Sequence, residues 1–155
     1  MVCLKIKIFK IPAILLLLAG FYFSCTERGN EIEIPIVGYF LTGTECLWTS
    51  LEPEKVVIVN SNKELEKYIE NCGNDYPTID FSKNTLLLVT GIANSSIVEI
   101  QTKLTKHTGY ELNIDVYVGI LGVLQKWDVA LLSSKKIKGN VRLNFKQVTN
   151  LNNTQ

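Results

Sequence analysis

Two neighbouring segments constrain the fold of this chain more than any other feature. In Ile97–Lys106 (IVEIQTKLTK), Val98, Ile100, Thr102 and Leu104 alternate with Glu99, Gln101, Lys103 and Thr105. In Tyr110–Val118 (YELNIDVYV) the alternate places fall to Tyr110, Leu112, Ile114, Val116 and Val118. Successive side chains on a strand point to opposite faces, so a period of two gives each segment one apolar face. The link His107-Thr108-Gly109 contains the glycine that a short hairpin loop favours. The two segments are therefore expected to pair antiparallel.

The remaining segments extend that theme. Ile36–Trp48 (IVGYFLTGTECLW) and Lys55–Asn60 (KVVIVN) predict two early strands, and Thr85–Ile92 (TLLLVTGI) is a continuous apolar run of the kind buried on both faces. Asp128–Ser134 (DVALLSS) and a segment beginning at Val141 (VRLNFKQV), with Val141, Leu143 and Phe145 inward, complete the set around a KKIKGN turn. One helix is expected in SNKELEKYIENCGN. Ser61 and Glu64 stand at the spacing of a capping box, Leu65, Tyr68, Ile69 and Cys72 share a face, and Gly73 supplies a stop. The expected fold is α+β and predominantly antiparallel β, with about seven strands in a sandwich or open barrel and one helix packed against it.

The first residues follow a different logic. Lys5, Lys7 and Lys10 precede an apolar run from Ile11 to Phe23 that ends in FYFSC. A membrane-spanning helix needs roughly 20 apolar residues, and this run is shorter. It reads as a cleaved signal, and its end resembles a bacterial lipoprotein signal in which the thiol of Cys25 is acylated. Residues 1–24 are then the signal, 25–33 a polar tether, 34–150 a single domain and 151–155 a fraying tail. The protein is expected in the cell envelope, lipid-anchored to the outer membrane on its periplasmic or surface face.

Charge and cysteine usage fit that address. The signal removes three lysines, so the 16 basic residues become 13 against an unchanged 15 acidic ones. Near-neutrality argues against nucleic acid as a partner. Cys3 leaves with the signal and Cys25 is used by the lipid, which leaves Cys46 and Cys72 as an even pair. In an exported protein such a pair is first read as a disulfide.

Catalytic signatures are absent. The single histidine, His107, falls in the hairpin turn, and two cysteines cannot build a zinc site. GIANSS, Gly91–Ser96, is not G-x-S-x-G. Asp75 with Asp80, or Glu111 with Asp115, offers paired carboxylates for a histidine-free glycan hydrolase, but a loop and an outward strand face are ordinary places for solvated acids. No cofactor or metal is expected. Trp48 and Trp127 are the aromatic residues that could signal recognition or core. The segment Gly119–Trp127 (GILGVLQKW) is apolar where a polar connection is expected. Ile120, Leu121, Leu124 and Trp127 are therefore candidates for a partner-binding patch, and a short turn plugging the sheet is the alternative.

ELEKYI, IDFSKNTLLLVTG, IVEIQTKL and YELNIDVYV together resemble a set of Bacteroidetes lipoproteins over about Val56–Val148, and no activity follows from that likeness. More distantly, the order of elements is similar to the C-terminal domain of protease-complex-associated lipoproteins, with GIANSS where that domain carries a P-T-G-G-Y type loop. The sequence thus predicts a non-catalytic binding or scaffolding lipoprotein. Its partners would be the membrane through the lipid, and an envelope protein or glycan.

Overall fold

The computed structural model of the chain describes residues 31–72 and 76–149. The signal with Cys25, the tail from 150 onward, and Gly73 with Asp75 lie outside the described residues. The described chain is mostly antiparallel β with very little helix: ten strands in three sheets and one helix of four residues. In chain order these are β1 (Ile32–Ile34), β2 (Ile36–Gly38), β3 (Leu47–Trp48), β4 (Val57–Val59), α1 (Asn62–Leu65), β5 (Ile69–Glu70), β6 (Thr85–Ala93), β7 (Ile97–Lys106), β8 (Tyr110–Val118), β9 (Gln125–Ser133) and β10 (Val141–Thr149).

Two four-stranded sheets, in the orders β1-β7-β8-β10 and β2-β9-β6-β4, face each other, and β3 pairs with β5 in a small separate ribbon. The hairpin β7–β8 forms as the alternation requires, from Lys106 opposite Tyr110 onward. Leu104, Leu112, Ile114 and Val116 are fully buried, and they meet Leu87, Val89, Trp127 and Leu131 from the second sheet. The outer face of the second sheet is not solvated. Leu86 and Leu88 pack there against Leu65, Ile69, Ile79 and Tyr39. Strand β6 is thus covered on both faces, the physical reason for its unbroken apolar run.

Several expectations need correction. About seven strands become ten, because β1, β2, β3 and β5 are two or three residues long and too short to show a period. Strand β1 begins at Ile32, inside the segment read as tether. Strand β10 pairs parallel to β8, from Val141 opposite Tyr110 to Thr149 opposite Val118. A register shift between Ile97 and Glu99 turns Val98 outward, whereas simple alternation puts it with Ile100.

The helix is one turn rather than three. Its start is as expected: the Ser61 hydroxyl accepts from Glu64 N at 3.2 Å, while the Glu64 carboxylate accepts from Asn60 N at 2.6 Å. Asn71 then takes a left-handed backbone with φ 57°, and Ile69–Glu70 extends to pair with Leu47–Trp48. Leu65, Tyr68, Ile69 and Cys72 nevertheless share one apolar cluster. Cys46 and Cys72 are joined in a disulfide, with Cα atoms 4.6 Å apart.

The chain passes from the first sheet to the second at Pro35, where Ser134 N donates to the Pro35 carbonyl at 3.0 Å. Strand β1 covers the edge of β7 at Leu104–Lys106, and β2 covers the edge of β9 at Leu131–Ser133, with Tyr39 N extending the contact to the Ala130 carbonyl at 2.8 Å. Since β7 has ten residues and β9 has nine, one side of the sandwich stays open beyond this crossover.

Candidate functional site

Two apolar surfaces stand out. The first is the connection between β8 and β9. Its candidate residues divide: Ile120 is 81% exposed and Leu124 82%, with Leu121 and Val123 also exposed. Trp127, which the sequence groups with them, is 4% exposed and belongs to the core. As a member of the patch Trp127 is corrected, and of its two expected roles core is the one it has: it sits on β9 facing the sandwich interior, its ring over Gly91 and 5.4 Å from the Phe145 ring.

This connection is held in place. The Ser95 hydroxyl lies 2.7 Å from the Gly119 carbonyl oxygen and 2.5 Å from that of Leu121, and its single proton is shared between these two acceptors. Ser96 N donates to Leu121 O at 3.1 Å, and Gly119 N donates to Ser96 O at 2.8 Å. The β6–β7 turn therefore clamps the apolar tip, and this gives GIANSS a role that its sequence does not announce. A Cβ at Gly119 would stand 2.7 Å from the Ser96 hydroxyl oxygen, so a side chain there needs that hydroxyl to rotate aside. The outward-turned Val98 borders the same tip. Four apolar side chains held outward by part-buried hydrogen bonds form a preorganised surface, and preorganisation lowers the ordering entropy lost on association.

The second surface is an open groove of about 590 Å³ at the uncovered side of the sandwich. Tyr39, Phe40 and Trp48 line it from the segment after β2, Ile100 and Thr102 from β7, and Asp128 from β9. Phe40 is 72% exposed, its ring lying against Gly38, where a Cβ would come within 2.6 Å. No single stretch of sequence carries this groove. The exposed Phe40 between Gly38 and Gly43 is the one signal that could have pointed to it.

Tyr39 forms the groove's inner wall. Its ring lies 6.1 Å from that of Trp48, and its hydroxyl donates to the Pro77 carbonyl at 2.7 Å. Burial, with Tyr76 nearby, raises its pKa from 10.0 to about 12. The folded form holds this proton more tightly than the unfolded one, so the contribution is complete below pH 10 and is lost as pH rises towards about 12. Tyr39→Phe should cost about 1 kcal/mol at neutral pH by losing the hydrogen bond. It should also flatten the alkaline loss of stability, as measured by urea unfolding across that window. An unchanged alkaline profile would contradict the assignment.

The candidate carboxylates do not converge. Glu111 and Asp115 lie four residues apart on β8, which at about 3.3 Å per residue is roughly 13 Å, wider than the roughly 5 to 9.5 Å of glycosidase pairs. Asp115 pairs with Lys146 at 3.3 Å. Asp80 accepts from the Ser82 hydroxyl and N–H, and these bonds with Lys83 nearby hold its carboxyl below the usual range; its notional partner Asp75 is outside the described residues. Glu111, Asn113, Asp115, Lys103 and Lys146 instead form a solvated polar face on the first sheet. His107 is in the β7–β8 turn. No group of three or more His, Cys, Asp or Glu side chains among the described residues is placed to hold a metal, and no described helix is long and apolar enough to cross a membrane.

Against known proteins the chain stands apart: no family model, curated protein or solved structure matches it.

Proposed function

We propose that this protein is a non-catalytic binding or scaffolding component of the cell envelope, anchored through a lipid on Cys25 and docking an envelope protein through the tip at Ile120, Leu121 and Leu124. The observation that carries the reading is the clamp: Ser95 and Ser96 fix a connection whose large apolar side chains face solvent. A patch of this kind on a small domain serves interaction more often than any other purpose. The hydrolase alternative draws no comparable support, since the acids of β8 are spread along a solvated face. The address rests on FYFSC after a lysine-bearing apolar segment. Loss of fatty-acid labelling in Cys25→Ala tests it, and labelling that persists in that variant removes it.

The docking surface is tested by placing a photo-crosslinking amino acid at position 123 in intact cells. A discrete protein adduct is expected, and Leu121→Ser should abolish it. The same substitution should leave the melting temperature within about 2 °C of the parent, as surface changes usually do. If Leu121→Ser instead costs the 2–5 kcal/mol of a truncated core leucine, or if the adduct persists, the tip is not the docking surface.

A further inference from the structure

The two ends of the sandwich differ in charge. At the end opposite the tip lie the β7–β8 turn, the start of β1, where Ile32 stands opposite Lys106, and the connection from β9 to β10. Ile137 in that connection is fully buried in the core, and its N–H donates to the Thr85 hydroxyl at 2.9 Å. Three lysines flank it. Lys135 and Lys138 are exposed, while Lys136 donates to the carbonyls of Asn60 and Phe81 at 2.9 and 2.5 Å. Lys106 adds a fourth cation from the end of β7, exposed beside the Tyr110 ring. None of the four pairs with a carboxylate among the described residues, whereas Lys83 and Lys103 at the same end pair with Asp80 and Glu33. Of the acids here, Glu111 stands opposite Arg142, and Glu31 lines the outward face of the first sheet. Towards the tip, Lys55, Lys126 and Lys146 are matched by Glu52, Asp128 and Asp115. Unopposed positive charge therefore gathers at one end.

The chain leaves the described domain from that same end. Six residues separate Glu31 from Cys25, and they reach about 20 Å at most when fully extended. We infer that this end is a membrane seat, in which Lys106, Lys135, Lys136 and Lys138 lie against the anionic headgroups of the bilayer that holds the lipid proposed at Cys25, on which this seat rests. Attraction to a charged bilayer falls off within a Debye length, about 8 Å at physiological ionic strength. Cations contribute only where the chain brings them that close, and the short tether does so for the lysine end. Each lysine near such a surface favours it about fivefold. The lipid supplies the anchor and the lysines supply the orientation. The tip is carried away from the bilayer, because β8 spans nine residues, about 27 Å at roughly 3.4 Å per step. Ile120, Leu121 and Leu124 then meet their envelope partner in the aqueous space beyond the domain.

The test places the full chain, isolated from membranes, on vesicles of phosphatidylcholine alone and of equimolar phosphatidylcholine and phosphatidylglycerol. A fluorophore replaces Thr108 in the β7–β8 turn or Val123 in the tip, and a nitroxide on the headgroups quenches it. Quenching at 108 should be at least fivefold stronger on the anionic vesicles. It should fall to the neutral level in about 1 M salt and in the triple variant Lys106→Glu, Lys135→Glu, Lys138→Glu, whose surface changes leave the melting temperature within about 2 °C. Quenching at 123 should stay low on both. Equal quenching at 108 on the two vesicles, or a triple variant that behaves as the parent, overturns the seat. Stronger quenching at 123 than at 108 also overturns it and makes the tip the end that enters the bilayer. Flotation separates the seat from the anchor. A chain that floats with neutral vesicles yet shows no change at 108 keeps the lipid and loses the seat. One that floats with anionic vesicles alone, and only with its lysines intact, keeps the seat and loses the lipid.

Discussion

Trp127→Ala is expected to destabilise the protein by about 3–5 kcal/mol, the range for truncating a large buried aromatic. It should sit near the upper end, because the site cannot collapse. The indole spreads across β6 at Gly91 and reaches Phe145 on β10, with ring centroids 5.4 Å apart, so its removal opens a void bounded by three strands of both sheets. Gly91 is the other half of this arrangement. A Cβ there would lie 2.2 Å from Trp127 Cζ2 and 2.5 Å from Cε2, closer than atoms can approach, so Gly91→Ala should itself cost about 1–3 kcal/mol by overpacking. The two sites must then be coupled. In a Trp127→Phe background the smaller ring leaves room, and Gly91→Ala should cost measurably less. Trp127→Phe should also be milder than its volume change suggests, because Nε1 is buried without a hydrogen-bond partner among the described residues and its loss removes a desolvation penalty. Denaturant unfolding of the four chains completes the cycle. Additive costs would mean that the ring does not lie over Gly91.

That pairing also shows how far sequence reasoning reached. Alternation reports which face a residue takes and is silent on which strand lies beside it. It therefore placed Leu112, Ile114 and Val116 in the core and marked Val141, Leu143 and Phe145 as inward. It could not reveal that β10 returns parallel to β8 after β9 has crossed to the opposite sheet. The helical spacing of Leu65, Tyr68, Ile69 and Cys72 was a true sign of shared burial, but the backbone meets it with one helical turn followed by a short strand. A chain tied at Cys72 to Cys46 gains more from pairing Ile69–Glu70 with Leu47–Trp48 than from two further turns of an isolated helix, which is marginal at that length. Of the surfaces proposed for binding, the tip was legible because apolar residues stood where a polar connection belongs. Trp127 was grouped with it by adjacency, and a strand face then took it inward. The groove was invisible. Residues 38–48, 100–102 and 128–131 come together through the packing of the two sheets and the crossover at Pro35.

Replacing Cys72 by Ser should lower stability by about 3.5 kcal/mol, the chain-entropy estimate for a cross-link between residues 26 positions apart. The effect is expected to be local as well as global. The bridge ties the segment after β2 to the segment after α1, and the ladder that joins these two segments is made by the two-residue strands β3 and β5, too short to hold together without it. Cys46 is buried at the groove wall, so the loosened segment carries Trp48 and Phe40 with it. Reduction should therefore raise hydrogen exchange at residues 39–48 and 69–72 before it unfolds β6 to β9, whose backbone is paired along nearly full strand lengths. Hydrogen exchange on the reduced sample would show this order. Simultaneous loss of both sheets would mean that the disulfide staples the whole domain and that the groove has no independent stability.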